Sequence, residues 1–210
     1  MMFRKLLPVI LFILTVFYHT DLFAMETRVG LKGGVGLSYS LSEYTYYDSV
    51  SVLQKISEPT DVIFTGNGGL GVELLFEITE GFAIAMELDF LYQKRGGNFV
   101  NVRERITYLG MPLLVKGYLA DTIFFGVGTN VQIMLDSAVF DYSLPGYRST
   151  VDSSNVEFVV AIGASLPALP YLYLTVEARY YYGVTNYSTR SQEDLNTRAV
   201  DFMAGIMLKV

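Results

Sequence analysis

One stretch limits the possible folds of this chain more than any other: Phe82 to Gln93, Phe-Ala-Ile-Ala-Met-Glu-Leu-Asp-Phe-Leu-Tyr-Gln. Its even positions (Phe82, Ile84, Met86, Leu88, Phe90, Tyr92) are apolar without interruption, and its odd positions are small or polar except Leu91. Successive side chains of a β-strand point to opposite faces, so the stretch is a strand with one apolar and one polar face. Soluble sandwiches contain such strands too. The fold class therefore rests on how often the pattern recurs, how long each copy is and what separates the copies.

The alternation occurs in eight segments, 28–39, 68–77, 82–93, 106–119, 123–135, 156–166, 172–184 and 200–210. Each spans about ten to thirteen residues, and a tilted strand needs roughly 9–11 to cross a bilayer, whereas globular strands average about five or six. The connections 77–81, 120–122 and 167–171 are short. Those at 40–65, 94–105, 136–155 and 185–199 are long and polar, and the two kinds alternate strictly. Outer-membrane barrels sort their connections this way, with short periplasmic turns and long extracellular loops. An even strand count then puts both termini at the periplasmic rim. Apolar residues make up 51% of the chain and charged residues 17%, but no internal run of about 18 apolar residues could form a transmembrane helix. The apolar face also carries Tyr39, Phe76, Phe82, Tyr92, Phe125, Phe158, Tyr180, Tyr182 and Phe202, rings of the kind that settle at membrane interfaces. The expected fold is all-β, an eight-stranded antiparallel up-and-down transmembrane β-barrel.

Residues 1–24 read as a secretory signal peptide. Arg4-Lys5 precede an apolar run from Leu6 to Phe17, and Ala24 supplies the small residue before the cut. The barrel domain is then 25–210. The chain's only histidine, His19, leaves with the signal, and the chain has no cysteine. Loss of Arg4, Lys5 and Asp21 from 15 basic and 21 acidic residues leaves 13 against 20, a net charge of −7. That balance argues against a nucleic-acid partner.

Three motifs resemble a known family. Val29-Gly-Leu-Lys-Gly-Gly-Val-Gly-Leu37, Tyr108-Leu-Gly-Met-Pro-Leu-Leu-Val-Lys116 and Glu177-Ala-Arg-Tyr180 followed by Gly183 resemble strands of PorT-like bacterial outer-membrane β-barrel proteins. The resemblance covers most of the mature chain and implies an eight-stranded outer-membrane barrel similar in shape to OmpA- and OmpX-type proteins. It implies no catalytic residues. The chain departs from the family pattern at Gly110, where an acidic residue is frequent, and at its end, Val210 in place of Phe.

Gly66-Asn-Gly-Gly-Leu-Gly71 matches the dinucleotide-binding fingerprint in letters. That motif works only where a helix follows, and here a strand pattern follows. Inward glycines give a narrow barrel room for large neighbours. Lys32, Glu73, Glu87, Asp89, Lys116, Glu177, Arg179 and Asp201 all fall on the polar face. The interior of an eight-stranded barrel is just filled by side chains, so these charges should pair across the lumen. Arg179 is expected to pair with at least one of Glu177, Asp201, Glu87 or Asp89. Pro112, which cannot donate to a ladder, predicts a bulge. Lys94, Arg95, Arg103 and Arg105, set against Glu104, are candidate contacts for lipopolysaccharide phosphates; a solvated hairpin tip is the other reading.

The expected function is that of a non-enzymatic outer-membrane protein with a side-chain-filled lumen, serving membrane integrity or surface binding through four long extracellular loops. A narrow cation-preferring pore is the alternative, and an outer-membrane enzyme is the third reading. No cofactor or metal is expected. The expected partners are outer-membrane lipid, lipopolysaccharide and an extracellular ligand, with the chain a monomer.

Overall fold

Strand backbone in lipid must find hydrogen-bond partners on both sides, and a sheet achieves that only by closing on itself. The computed structural model describes residues 25–47, 53–59, 61–98, 102–141, 154–185 and 193–210, with side chains for 25–41, 61–96, 105–136, 154–185 and 196–210. The expected signal peptide lies outside the described residues. The strands are β1 (Met25–Tyr47), β2 (Leu53–Pro59), β3 (Ile63–Thr79), β4 (Phe82–Asn98), β5 (Val102–Leu119), β6 (Ile123–Asp141), β7 (Ser154–Leu169), β8 (Leu172–Gly183) and β9 (Glu193–Lys209). From β3 to β9 each strand pairs antiparallel with the next, and β1 pairs with β3 on one side and β9 on the other. The β1–β9 register runs from Arg28↔Lys209 to Tyr44↔Glu193 and closes the sheet.

The ninth strand adds no stave to the barrel. β2 pairs with β1 through Leu41↔Pro59, and β3 takes over at Ser38↔Ile63 with the register shifted by one residue. β2 and β3 therefore extend along the same side of β1, with a break at 61–62 before β3 begins, and the barrel has eight staves.

The long connections expected from sequence are shorter than 40–65, 94–105, 136–155 and 185–199 suggest. β1 reaches Tyr47, β4 runs to Asn98, β5 starts at Val102, β6 reaches Asp141 and β9 begins at Glu193. Apart from β2, strands span 12 to 23 residues, beyond the roughly 9–11 that cross a bilayer. The cause is physical. Ladder hydrogen bonds continue above the membrane, while outward residues turn polar there (Lys94, Arg105, Asp136) and the apolar alternation stops.

Within the bilayer the alternation assigns the faces. Leu31, Val35, Leu70, Leu88, Phe90, Leu113, Val127, Ile162, Phe202 and Ile206 are exposed on the outside. Ten residues separate Phe82 from Tyr92 on β4, about 33 Å along the strand and about 25 Å along the membrane normal at a tilt of ~40°. Phe82, Phe125 and Tyr171 lie near the short turns, with Tyr92, Tyr180 and Tyr182 at the other end of the belt; all six are exposed.

Pro112 produces no bulge. It faces inward, buried, and keeps its pairing with Asn130 on β6. On the β4 side the register passes from Leu88↔Leu113 to Leu91↔Gly110 without a shift. The missing N–H thus interrupts one ladder instead of displacing it. The irregularity lies at Leu135 of β6, between Thr107↔Asp136 and Tyr108↔Met134.

The turn after β5 places two residues with side chains in the left-handed region, Ala120 (φ 50) and Asp121 (φ 55), and the Thr122 N–H donates to the Leu119 carbonyl at 3.2 Å. Such a two-residue turn favours Asn-Gly. Replacing Ala120-Asp121 by Asn-Gly should stabilise the barrel by about 1–2 kcal/mol, measured by urea titration in lipid vesicles. In the same assay Leu88→Lys, in the middle of the lipid belt, should cost about 2–4 kcal/mol. The same change at Glu80, in an exposed turn, should stay within about 0.5 kcal/mol of wild type.

Candidate functional site

Among the described residues, eleven charged side chains are buried inside the barrel: Arg28, Lys32, Arg95, Lys116 and Arg179 with Glu73, Glu87, Asp89, Glu157, Glu177 and Asp201. Each occupies the inward parity of its strand, and glycines make space for several. A Cβ on Gly36 would collide with the Asp201 carboxylate, one on Gly71 with that of Asp89, and one on Gly110 with the Gln93 amide.

The central cluster is organised by Arg179 on β8. Its Nη2 hydrogen-bonds Glu87 at 2.7 Å and Glu177 at 2.6 Å, and its Nη1 is ion-paired with Asp89 at 2.7 Å. Lys32 on β1 hydrogen-bonds Glu87 and lies 3.4 Å from Glu177. Lys116 on β5 reaches Glu87 at 2.6 Å and Glu73 at 3.4 Å, with its ammonium 4.0 Å from the centre of the Phe124 ring. Towards the short turns, Glu73 also accepts from the Tyr118 hydroxyl (2.8 Å) and from Arg28 (3.3 Å). The Arg28 guanidinium stacks on Tyr173 at 3.8 Å.

A second cluster lies nearer the long connections. Arg95 donates through Nη1 and Nη2 to the two carboxylate oxygens of Asp201, at 3.3 and 3.0 Å, and its guanidinium lies 4.6 Å from the centre of the Tyr181 ring. Glu157 accepts from Asn130 (2.8 Å) and Thr197 (3.0 Å). Asn130 and Gln132 both donate to Gln93.

The structure places all eight lumen residues expected from sequence inside. Arg179 takes Glu87, Asp89 and Glu177; Asp201, its cross-strand neighbour, goes to Arg95. That pairing corrects one expectation. Arg95 was a candidate lipopolysaccharide contact in a loop, but it lies on a strand, points inward and has no exposure, because it shares the parity of Gln93. Lys94 and Arg105 point outward and are exposed. The Arg103 side chain lies outside the described residues. Arg28, Arg95 and Glu157 are network members that the sequence reading did not assign to it. Parity was the available signal, since Arg28 is four residues from Lys32 and Glu157 four from Ala161.

The carboxylates of Glu87, Asp89 and Glu177 present oxygens within 4.8 Å of one another, a spacing compatible with a metal ion. Lys32, Lys116 and Arg179 already occupy their midst, so side-chain cations supply the neutralising charge.

No protein-family model and no curated protein sequence matches the chain. Solved structures do. The outer-membrane protein OprG of Pseudomonas aeruginosa superposes with a TM-score of 0.51 at 10% identity, over 88% of this chain and 96% of that one. The chain has the fold of the small OmpA/OmpX-type outer-membrane β-barrels. Neisserial surface protein A gives 0.41 at 14% identity, over 86% and 97%, and the Escherichia coli outer-membrane protease OmpT gives 0.49 at 10%, over 91% and 99%. With its lipid-facing apolar belt, this barrel resides in a bacterial outer membrane.

Removing one partner of a buried ion pair leaves the others uncompensated. Arg179→Ala should therefore cost about 3–5 kcal/mol, read as a lower urea midpoint in vesicles. Arg105→Ala, outside the barrel, should change stability by no more than about 0.5 kcal/mol.

Proposed function

We propose that this is a non-conducting, non-enzymatic barrel whose lumen is a structural plug and whose function is exercised from its outer face and its extracellular end. The observation that supports this reading is the absence of solvent exposure at Asp89, Arg95, Glu157, Arg179 and Asp201. A water-filled bore would leave such groups accessible. Six carboxylates against five cations come close to mutual neutralisation, which suits a plug better than a selective conduit. Buried carboxylates with no approach for a substrate are poorly suited to acid–base catalysis, which needs contact with the reacting group.

Lys94 and Arg105, exposed on the outward face beyond the Tyr92 ring, are suited to phosphates of the surrounding lipopolysaccharide. The strands that continue past the membrane carry the connections outward, where an extracellular ligand can meet them. A barrel closed by its own first and last strands satisfies its ladder without a second copy, so a monomer suffices.

A narrow cation-preferring pore is the second reading, favoured by the one-carboxylate excess among the described lumen charges. Planar-bilayer recording separates the two. The wild-type barrel should show negligible conductance, and Arg179→Ala, which empties the centre of the plug, should raise it to a measurable level. Steady wild-type conductance, with Arg179→Ala altering only ion selectivity, would establish the pore instead.

A further inference from the structure

The run Gly66-Asn67-Gly68-Gly69 is not fully explained by close packing. A Cβ on Gly69 would collide with the Phe90 carbonyl of β4. On Gly66 it would meet only the Gly34 carbonyl, at 4.0 Å, and on Gly68 the Lys32 carbonyl at 3.6 Å. Neither glycine has a positive φ. Side chains fit at both positions, and by the parity of Phe64 and Leu70 both positions face outward. Two missing side chains thus leave a notch in the lipid-facing surface.

The wall parts at the same place. The β3–β4 register runs from Thr79↔Phe82 to Asn67↔Gln93 and stops there, although β3 continues to Ile63 and β4 to Asn98. Beyond that point β4 turns to β1: the Ser38 hydroxyl donates to the Gly96 carbonyl (3.1 Å), and the Gly96 N–H donates to Ser38 Oγ (3.3 Å). The opened seam holds a cavity of 780 Å³, with Phe64, Gly66 and Asn67 on one side and Tyr92, Lys94 and Arg105 on the other. Thr65 Oγ1 and both polar side-chain atoms of Asn67, on the inward parity of β3, are buried behind the notch without hydrogen-bond partners, an expensive state at the point where the wall parts.

The charge at the seam is net positive. The Lys94 ammonium sits 5.9 Å from the centre of the Tyr92 ring. The registers Lys94↔Thr107 and Gly96↔Arg105 make Lys94 and Arg105 diagonal neighbours on the outer face. Asp136 lines the cavity from β6, and Arg95 lines it from within but is held by Asp201. Tyr92 marks the outer headgroup level, so the notch opens sideways into the outer leaflet.

We propose that this seam binds one phosphorylated, acylated lipid of the outer leaflet. An acyl chain lies in the glycine notch between Phe64 and Tyr92, and the phosphate is held by Lys94 and Arg105. The site deepens the reading of the outer face as a lipopolysaccharide contact and rests on it.

Native mass spectrometry of the detergent-released barrel tests the site with two probes, diphosphoryl lipid A and the same lipid stripped of phosphate. Wild type should retain one copy of the phosphorylated probe and bind the stripped one at least about tenfold more weakly, as expected from losing contacts to two surface cations. Lys94→Ala with Arg105→Ala should weaken the phosphorylated probe by a similar factor. Gly66→Val with Gly68→Val fills the notch, favours the strand and leaves both cations in place; it too should lower retention. Arg198→Ala is the control, an outer-face cation stacked on Tyr182 at 3.4 Å, and it should bind as wild type does. Undiminished binding by the notch-filled barrel, equal retention of the two probes, or an equal loss with Arg198→Ala would overturn the site. The first and last of these would leave a diffuse lipopolysaccharide contact standing. A wild-type barrel that retains neither probe overturns both.

Discussion

The ion-pair network centred on Arg179 is the interaction on which the rest of the barrel depends. An ion removed from water costs several kcal/mol unless other groups compensate it, so the charges inside this barrel are tolerable only as a set. Arg179 joins β8 to Glu87 and Asp89 of β4. Lys32 and Lys116 bring β1 and β5 to the same carboxylates, Glu73 adds β3, and Arg95 ties β4 to Asp201 of β9. Six of the eight staves are thereby cross-linked through the middle. The network takes the place of the apolar core that a soluble domain would have, with a smaller cluster including Ala83, Ala85, Leu114, Tyr118 and Phe124 packed beside it.

This interior and the lipid-facing exterior have one cause, the two-residue period of a strand. The same alternation that points Leu88 and Phe90 into lipid points Glu87 and Asp89 at Arg179. A one-residue slip of a charge-bearing stave would put charge into hydrocarbon and apolar side chains into the ion network, so register is fixed from both sides at once. The constraint relaxes where the lipid ends. Beyond Tyr92 the outward residues are charged, the β3–β4 ladder stops, and β4 pairs with Ser38 of β1 instead. Apart from the gap opposite Pro112 in the β4–β5 ladder, departures from regular pairing lie near the membrane interfaces, where headgroups and water can satisfy the freed backbone groups.

The fold was largely legible in the sequence because face assignment needs only parity. Stave number and the inward position of all eight expected charges followed from alternation. Strand ends were not legible. Above the bilayer both faces are polar, so Arg95 read as a loop residue although it shares a face with Gln93. Partner choice was also out of reach. Which inward residues meet across a barrel depends on strand tilt and stagger, which no single strand encodes; Asp201, beside Arg179 in the ladder, turned instead to Arg95. Pro112 shows a third limit: a missing donor can interrupt a ladder or shift it, and the sequence does not distinguish the two.

The central claim is that side chains, rather than water, fill the lumen, and the absence of cysteine gives it a direct test. Single cysteines can be placed at Ala161, buried on the inner face, and at Ser154, exposed near the end opposite the short turns, and challenged with a small cationic methanethiosulfonate on the folded barrel in vesicles. A filled lumen predicts rapid labelling of Ser154→Cys and none of Ala161→Cys until the barrel is unfolded. Equally fast labelling at both positions would mean a continuous aqueous bore and would contradict the account.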